Sequence, residues 1–207
     1  AQMIVNWAHA WPSATAAFLA SLVEFVEALT VVLAVGTVRG WRGALVGAGA
    51  AVAVLLLAVL LLGPLLTDIP LRTVQLVVGG LLLLFGMRWL RKAILRAAGV
   101  IPLHDEEAAF AKESAALRSL GGGGRWDKVG IATAFKITLL EGLEVVFIVI
   151  AVGAGGSGLL VPASLGALAA LFVVVLLGVL VHRPLSTIPE NMFKFIVGVL
   201  LSAFGAF

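Results

Sequence analysis

The chain contains no cysteine and only three histidines among its 207 residues. Without thiols there are no disulfides and no thiolate metal sites, so any bound metal must be met by oxygen or, rarely, by imidazole. Charge is scarce as well. Asp, Glu, Lys and Arg make up 12% of the residues, where an ordinary globular domain has about 25%. No nucleophile, histidine pair or cofactor motif stands out, and an enzyme is not expected. What fills the chain is apolar: 62% of residues are hydrophobic and the mean hydropathy is +1.18. An all-α integral membrane protein is predicted, with lipid as its first partner. The length allows about six helices of the roughly 20 residues a bilayer core requires and leaves no room for a large soluble domain.

Apolar runs bounded by charges, Gly or Pro place six spans at 13–36, 43–63, 72–90, 129–152, 159–181 and 191–207. The formal net charge of +3 and pI near 9.8 do not point to nucleic acid, because the basic residues flank apolar segments. Arg39, Arg42, Arg88, Arg91, Lys92, Arg96, Lys128 and Arg183 fall on one side if the spans alternate, and Arg72 falls on the other. The positive-inside rule then puts both termini outside and the central segment in the cytoplasm of a bacterial-type plasma membrane. Trp7, Trp11, Trp41, Trp89 and Trp126 all lie near span ends, as an interfacial aromatic belt requires. The N-terminus has no basic region before its first apolar run, so no cleavable signal sequence is expected. His9, His104 and His182 read as interfacial or loop residues.

The few acidic residues are oddly placed. Glu24 and Glu27 lie in one long apolar stretch and Glu141 and Glu144 in another, each pair spaced Glu-x-x-Glu and the two pairs offset by 117 residues. Ser21 and Thr138 precede the pairs at the same offset. Gly49 then matches Gly166. After small gaps Pro64 matches Pro184, Pro70 matches Pro189, Gln75 matches Lys194, Gly79 matches Gly198, and Phe85-Gly86 matches Phe204-Gly205. Residues 1–96 and 129–207 are therefore two copies of a three-helix unit, joined by a linker over 97–128. Three spans per unit force the second copy to enter the membrane from the opposite side, giving two inverted three-helix repeats. In the linker, His104 to Arg118 has helix-forming composition and Gly121 to Gly124 reads as a flexible joint; the segment as a whole is expected to be solvated.

Both Glu pairs fall about halfway across their spans. Ionised carboxylates in hydrocarbon cost several kcal/mol each, so these groups must be protonated, paired or metal-bound. A divalent cation favours the deprotonated form, and burial and mutual repulsion favour the protonated one. One set of residues can then hold protons or a cation in competition. Glu24, Glu27, Glu141 and Glu144 are the expected metal ligands, with Ser21, Thr138, Gln75 and Lys194 as auxiliary members of the site. Carboxylate and hydroxyl oxygens suit Ca²⁺, Mn²⁺, Mg²⁺ and iron rather than Cu(I) or Zn²⁺. Gly142 leaves room beside Glu141 for an ion or a neighbouring helix, and Lys136 is expected to snorkel to the interface.

Two three-helix units, each with an acidic pair on its first helix, resemble the GDT-type cation/proton exchangers of the lysine-exporter superfamily. Their motif is Glu-x-Gly-Asp followed by a basic residue; here Glu27 and Glu144 stand at the Asp position, and Ala28 and Val145 replace the basic one. Glu141-Gly-Leu-Glu144 is also similar to the Arg-Glu-Gly-Leu-Glu motif of high-affinity iron permeases, with Leu140 in place of Arg. The resemblance implies Mn²⁺ or Ca²⁺ moving against protons, or iron uptake. The expectation is a secondary transporter with the divalent cation as substrate and H⁺ as coupling ion, and no other cofactor. Export of a small cationic metabolite and a membrane scaffold are the alternatives, and a homo-oligomer is compatible with either.

Overall fold

The computed structural model describes residues 7–67, 71–121, 126–154, 158–181 and 190–206. All of the regular structure among them is helical: α1 (Trp7–Arg39), α2 (Trp41–Thr67), α3 (Leu71–Ala97), α4 (Glu106–Ser119), α5 (Lys128–Ala154), α6 (Leu160–Val181) and α7 (Glu190–Ala206). Ala10–Arg39, Trp41–Val59 and Leu160–Leu180 are long and apolar enough to cross a membrane. The outward faces of α2 and α6 carry Leu45, Leu56, Leu57, Leu61, Leu168, Phe172, Val179 and Leu180, all exposed. Water penalises such a surface and lipid does not. Arg183, His182, Pro184 and Pro189 lie outside the described residues, as do the side chains of His9 and Gln75.

The helices pair across the chain rather than along it. The closest packing is between α1 and α6, between α2 and α5, and between α3 and α7. Small residues set the directions. A Cβ at Gly166 would strike the Ala14 carbonyl, and one at Gly178 would meet Leu29, so α6 runs parallel to α1. A Cβ at Gly47 would strike the Ile131 carbonyl and one at Gly142 would meet Leu55, so α5 runs parallel to α2. Gly79 faces Gly205 and Gly86 faces Gly198, which makes α3 and α7 antiparallel. At the far end of that pair Arg96 donates to Asn191 at 2.6 Å. Helices α1 and α5 are also antiparallel, since Gly130 lies against Val35 and Arg39 while Ala151 and Val152 share a core cluster with Ala17 and Ala20. Interfaces built on Gly and Ala let backbones approach closely, which is how helices gain packing energy where no hydrophobic drive separates them from lipid.

One residue, Gly40 at φ 109°, connects α1 to α2. Only a residue without Cβ takes that backbone cheaply, and it lets the chain reverse at once.

The central segment is not the solvated linker expected from its composition. Helix α4 folds back against α1. Asp105 caps its start, accepting from the Glu107 and Ala108 amides at 2.9 and 3.2 Å. Leu117 and Phe110 pack with Ala34, Val35, Ala44 and Ala134 of α1, α2 and α5. Glu106, buried, accepts from the Thr30 hydroxyl at 2.5 Å, and His104 Nε2 lies 3.3 Å from its second oxygen. Arg39 ties three segments together: it pairs with Asp127 and donates to the carbonyls of Leu117 at 2.8 Å and Gly121 at 3.1 Å. The Arg39 guanidinium holds the Asp127 carboxyl below the usual carboxylate range. Asp127 in turn accepts from the Val129 amide at 3.2 Å and caps α5.

Replacing Thr30 with valine keeps the shape and removes the donor to a buried carboxylate. The expected cost is about 1.5–3 kcal/mol, felt first by α4. Hydrogen exchange over residues 106–119 should accelerate while the exchange of α2 and α6 stays as it was; unchanged protection of α4 would mean that apolar contacts alone hold it.

Trp89 departs from the belt expected of it. It is buried among α3, α5 and α7, whereas Trp11, Trp41 and Trp126 are exposed as an interfacial role requires.

Candidate metal centre

The two Glu-x-x-Glu motifs lie on α1 and α5, the two helices that cross antiparallel at the middle of the bundle. Glu24 is 2% exposed and Ser21 fully buried, while Glu27, Glu141 and Glu144 are partly buried. Each of Glu24, Glu141 and Glu144 offers a carboxylate oxygen, and these three atoms lie within 4.8 Å of one another. Two oxygens bound to one ion at about 2.3–2.6 Å can be no more than about 5 Å apart, so this group is compact enough to share a single cation. The facing carboxylate oxygens of Glu24 and Glu141 are thus no more than 4.8 Å apart. Two ionised carboxylates that close repel each other, and a proton or a cation between them relieves the repulsion.

Three buried oxygens around this cluster lack a partner among the described residues: Glu24 Oε1, Ser21 Oγ and Thr138 Oγ1. Buried polar atoms are nearly always satisfied. All three lie on residues of the two acidic motifs or one turn before them.

Glu27 does not join the cluster. It pairs with Lys194 of α7, and the Lys194 ammonium also sits 6.0 Å from the centre of the Trp89 ring. Its counterpart Glu144 does join, with Arg88 of α3 at 3.9 Å. Gly142 admits a helix: a Cβ there would collide with Leu55 of α2. Lys136 is exposed, as snorkelling requires. The side chain of Gln75 lies outside the described ones. Of the four glutamates expected as ligands, Glu24, Glu141 and Glu144 come together, and Glu27 departs from the expectation by pairing with Lys194 instead. Sequence reasoning missed Trp89 and Arg88, because a tryptophan and an arginine near a span end look interfacial; the one available signal was their position on α3, which the repeat pairs with the helix that carries Lys194.

No family model, curated protein or solved structure matches this chain. The site therefore rests on its own geometry.

Proposed function

We propose that this chain is a secondary transporter of a divalent metal cation, coupled to protons, whose ion site is built from Glu24, Glu141 and Glu144. The observation that carries the reading is the convergence of three carboxylates from two antiparallel helices, with orphaned buried oxygens beside them. An oxygen-only donor set in apolar surroundings suits Mn²⁺, Ca²⁺ or Fe²⁺. Emptied of its cation, the same set needs protons to remain buried, and that competition is what couples the two fluxes.

The architecture we propose is six spans as two inverted repeats, residues 1–96 and 129–207. Exchanging α1 with α5, α2 with α6 and α3 with α7 maps the close helix pairs onto one another, including their relative directions. The contact of Gly166 with the Ala14 carbonyl becomes that of Gly47 with the Ile131 carbonyl, and the Gly79–Gly205 pair becomes Gly198–Gly86. Ala14 and Ile131 are 117 residues apart, but Gly47 and Gly166 are 119 apart, like Gly79 and Gly198. Two extra residues thus fall between the first and second helices of the second copy. The partner of Gly166 is then Gly47 rather than Gly49. An inverted pair of this kind carries its substrate site where the first helices meet, open alternately to either side. With α4 in the cytoplasm, the clustered basic ends of α1, α3 and α5 obey the positive-inside rule. Among known families, the GDT-type exchangers and the iron permeases are the ones whose acidic motifs resemble these.

Reconstituted proteoliposomes with an imposed pH gradient test the reading. Mn²⁺, Ca²⁺ or Fe²⁺ should move against protons, with a matching change of internal pH, and lysine or arginine should not compete. Competition by such amines would favour metabolite export. No flux of any cation would leave a scaffold.

A further inference from the structure

The two halves of the centre are not equivalent, and the difference lies in one residue. Under the repeat relation Glu27 corresponds to Glu144, and the two should enter the ion site alike. Glu144 does so and Glu27 does not. The third helices differ at the matching place: Lys194 stands in the second copy where the first has the uncharged Gln75. Lys194 is buried, its side chain 4% exposed, and its ammonium is held between the Glu27 carboxylate and the face of Trp89. Arg88 is no equivalent. It lies at 3.9 Å from Glu144 with a side chain 60% exposed, a geometry in which solvent removes most of the attraction.

We infer that Lys194 is a tethered cation that occupies Glu27 and so holds the ion site at three carboxylates, weakening its preference for trivalent over divalent ions relative to a site of four. The inference rests on the transport reading above. Four carboxylates gathered in one low-dielectric place would favour a trivalent ion, because each added carboxylate gains in proportion to the charge of the ion it meets. With one of the four already neutralised from within, that extra attraction is lost, and a trivalent ion loses more of it than a divalent one. Burial makes this effective, since an ammonium out of water and paired at close range is neither screened nor easily displaced. The same arrangement explains why Glu27 is the one motif carboxylate with a full partner, while Glu24 keeps an orphaned oxygen.

The test is equilibrium binding of Mn²⁺ and of Tb³⁺ to the full chain in nanodiscs, for the parent, Lys194→Gln, Lys194→Arg and the double variant Lys194→Gln/Glu27→Gln. Lys194→Gln releases Glu27 into the site, and its affinity for Tb³⁺ relative to Mn²⁺ should rise by at least about tenfold. Lys194→Arg keeps the tethered charge and should keep the parent ratio. The double variant, which removes both charges of the pair, should return to the parent ratio as well. A role confined to holding α7 against α1 would change stability but leave the ratio alone in all four proteins. An unchanged ratio in Lys194→Gln, or a raised ratio that persists in the double variant, overturns the inference and leaves the transport reading standing. A parent protein that binds neither ion overturns both.

Discussion

Glutamine at position 24 or 141 should abolish cation transport while leaving the empty protein as stable as the parent or more so. Each substitution removes a carboxylate from a three-carboxylate site and puts a neutral amide of the same shape in its place, exchanging one acceptor oxygen for a donor. Loss of one ligand charge from so small a set should weaken divalent binding by about a hundredfold or more, roughly 2.8 kcal/mol. Stability moves the other way, because two buried carboxylates within 4.8 Å of each other repel unless a proton is shared between them, and an amide carries no charge to repel. Glu27→Gln should behave in the opposite manner. It leaves the buried Lys194 without its carboxylate, at a cost of about 3–5 kcal/mol, although Glu27 is not in the cluster. Ion binding by calorimetry beside thermal unfolding without ion separates the two patterns. Flux equal to the parent's in both Glu24→Gln and Glu141→Gln would end the transport reading.

The contrast between Glu24 and Glu27 also shows where sequence reasoning stops. Four glutamates in apolar runs at matched positions are conspicuous, since hydrocarbon makes each of them costly, and a duplicated stripe on two helices predicts that the stripes meet. Which carboxylate ends beside which cation depends on the third helices: the sequence places Lys194 near the site, but nothing in its spacing says that it takes Glu27 rather than another of the four. Trp89 shows the same ambiguity, being near a span end in sequence and under a buried ammonium in space. Helix α4 was hidden for a different reason. Its Asp, Glu, Lys and Arg residues suggest a solvated segment, but its docking rests on a few apolar residues, Phe110 and Leu117, and on polar groups that find partners on α1, Glu106 with Thr30 and the Leu117 carbonyl with Arg39. Pairings between residues about eighty positions apart leave no trace in local composition.

Gly47 and Gly49 look interchangeable along the chain, and only one of them should tolerate a side chain. At Gly47 the helix α2 backbone lies against α5, and a Cβ would be driven into the Ile131 carbonyl, with Ala134 and Phe135 also in the way. Gly49 has nothing within 4 Å of such an atom and faces outward. Valine at position 47 must therefore push two parallel helices apart, and the obstacle is backbone rather than a side chain that can rotate. Overpacking of yielding side chains costs about 1–3 kcal/mol, and a collision with a carbonyl should reach or exceed the upper end of that range. The same penalty should attach to Gly166→Val, where the obstacle is the Ala14 carbonyl on the other pair of helices. Gly49→Val should stay within about 0.5 kcal/mol of the parent, as exposed substitutions usually do. Thermal unfolding of the three variants in the same lipid nanodiscs checks this. If Gly49→Val proves as damaging as Gly47→Val, the 117-residue offset continues into the second helices and the proposed repeat must be realigned. If all three are tolerated, α2 does not lie against α5 as described. If Gly47→Val and Gly166→Val fail together, the two interfaces depend on the same glycine contact, which is what two copies of one three-helix unit, inserted in opposite directions, require.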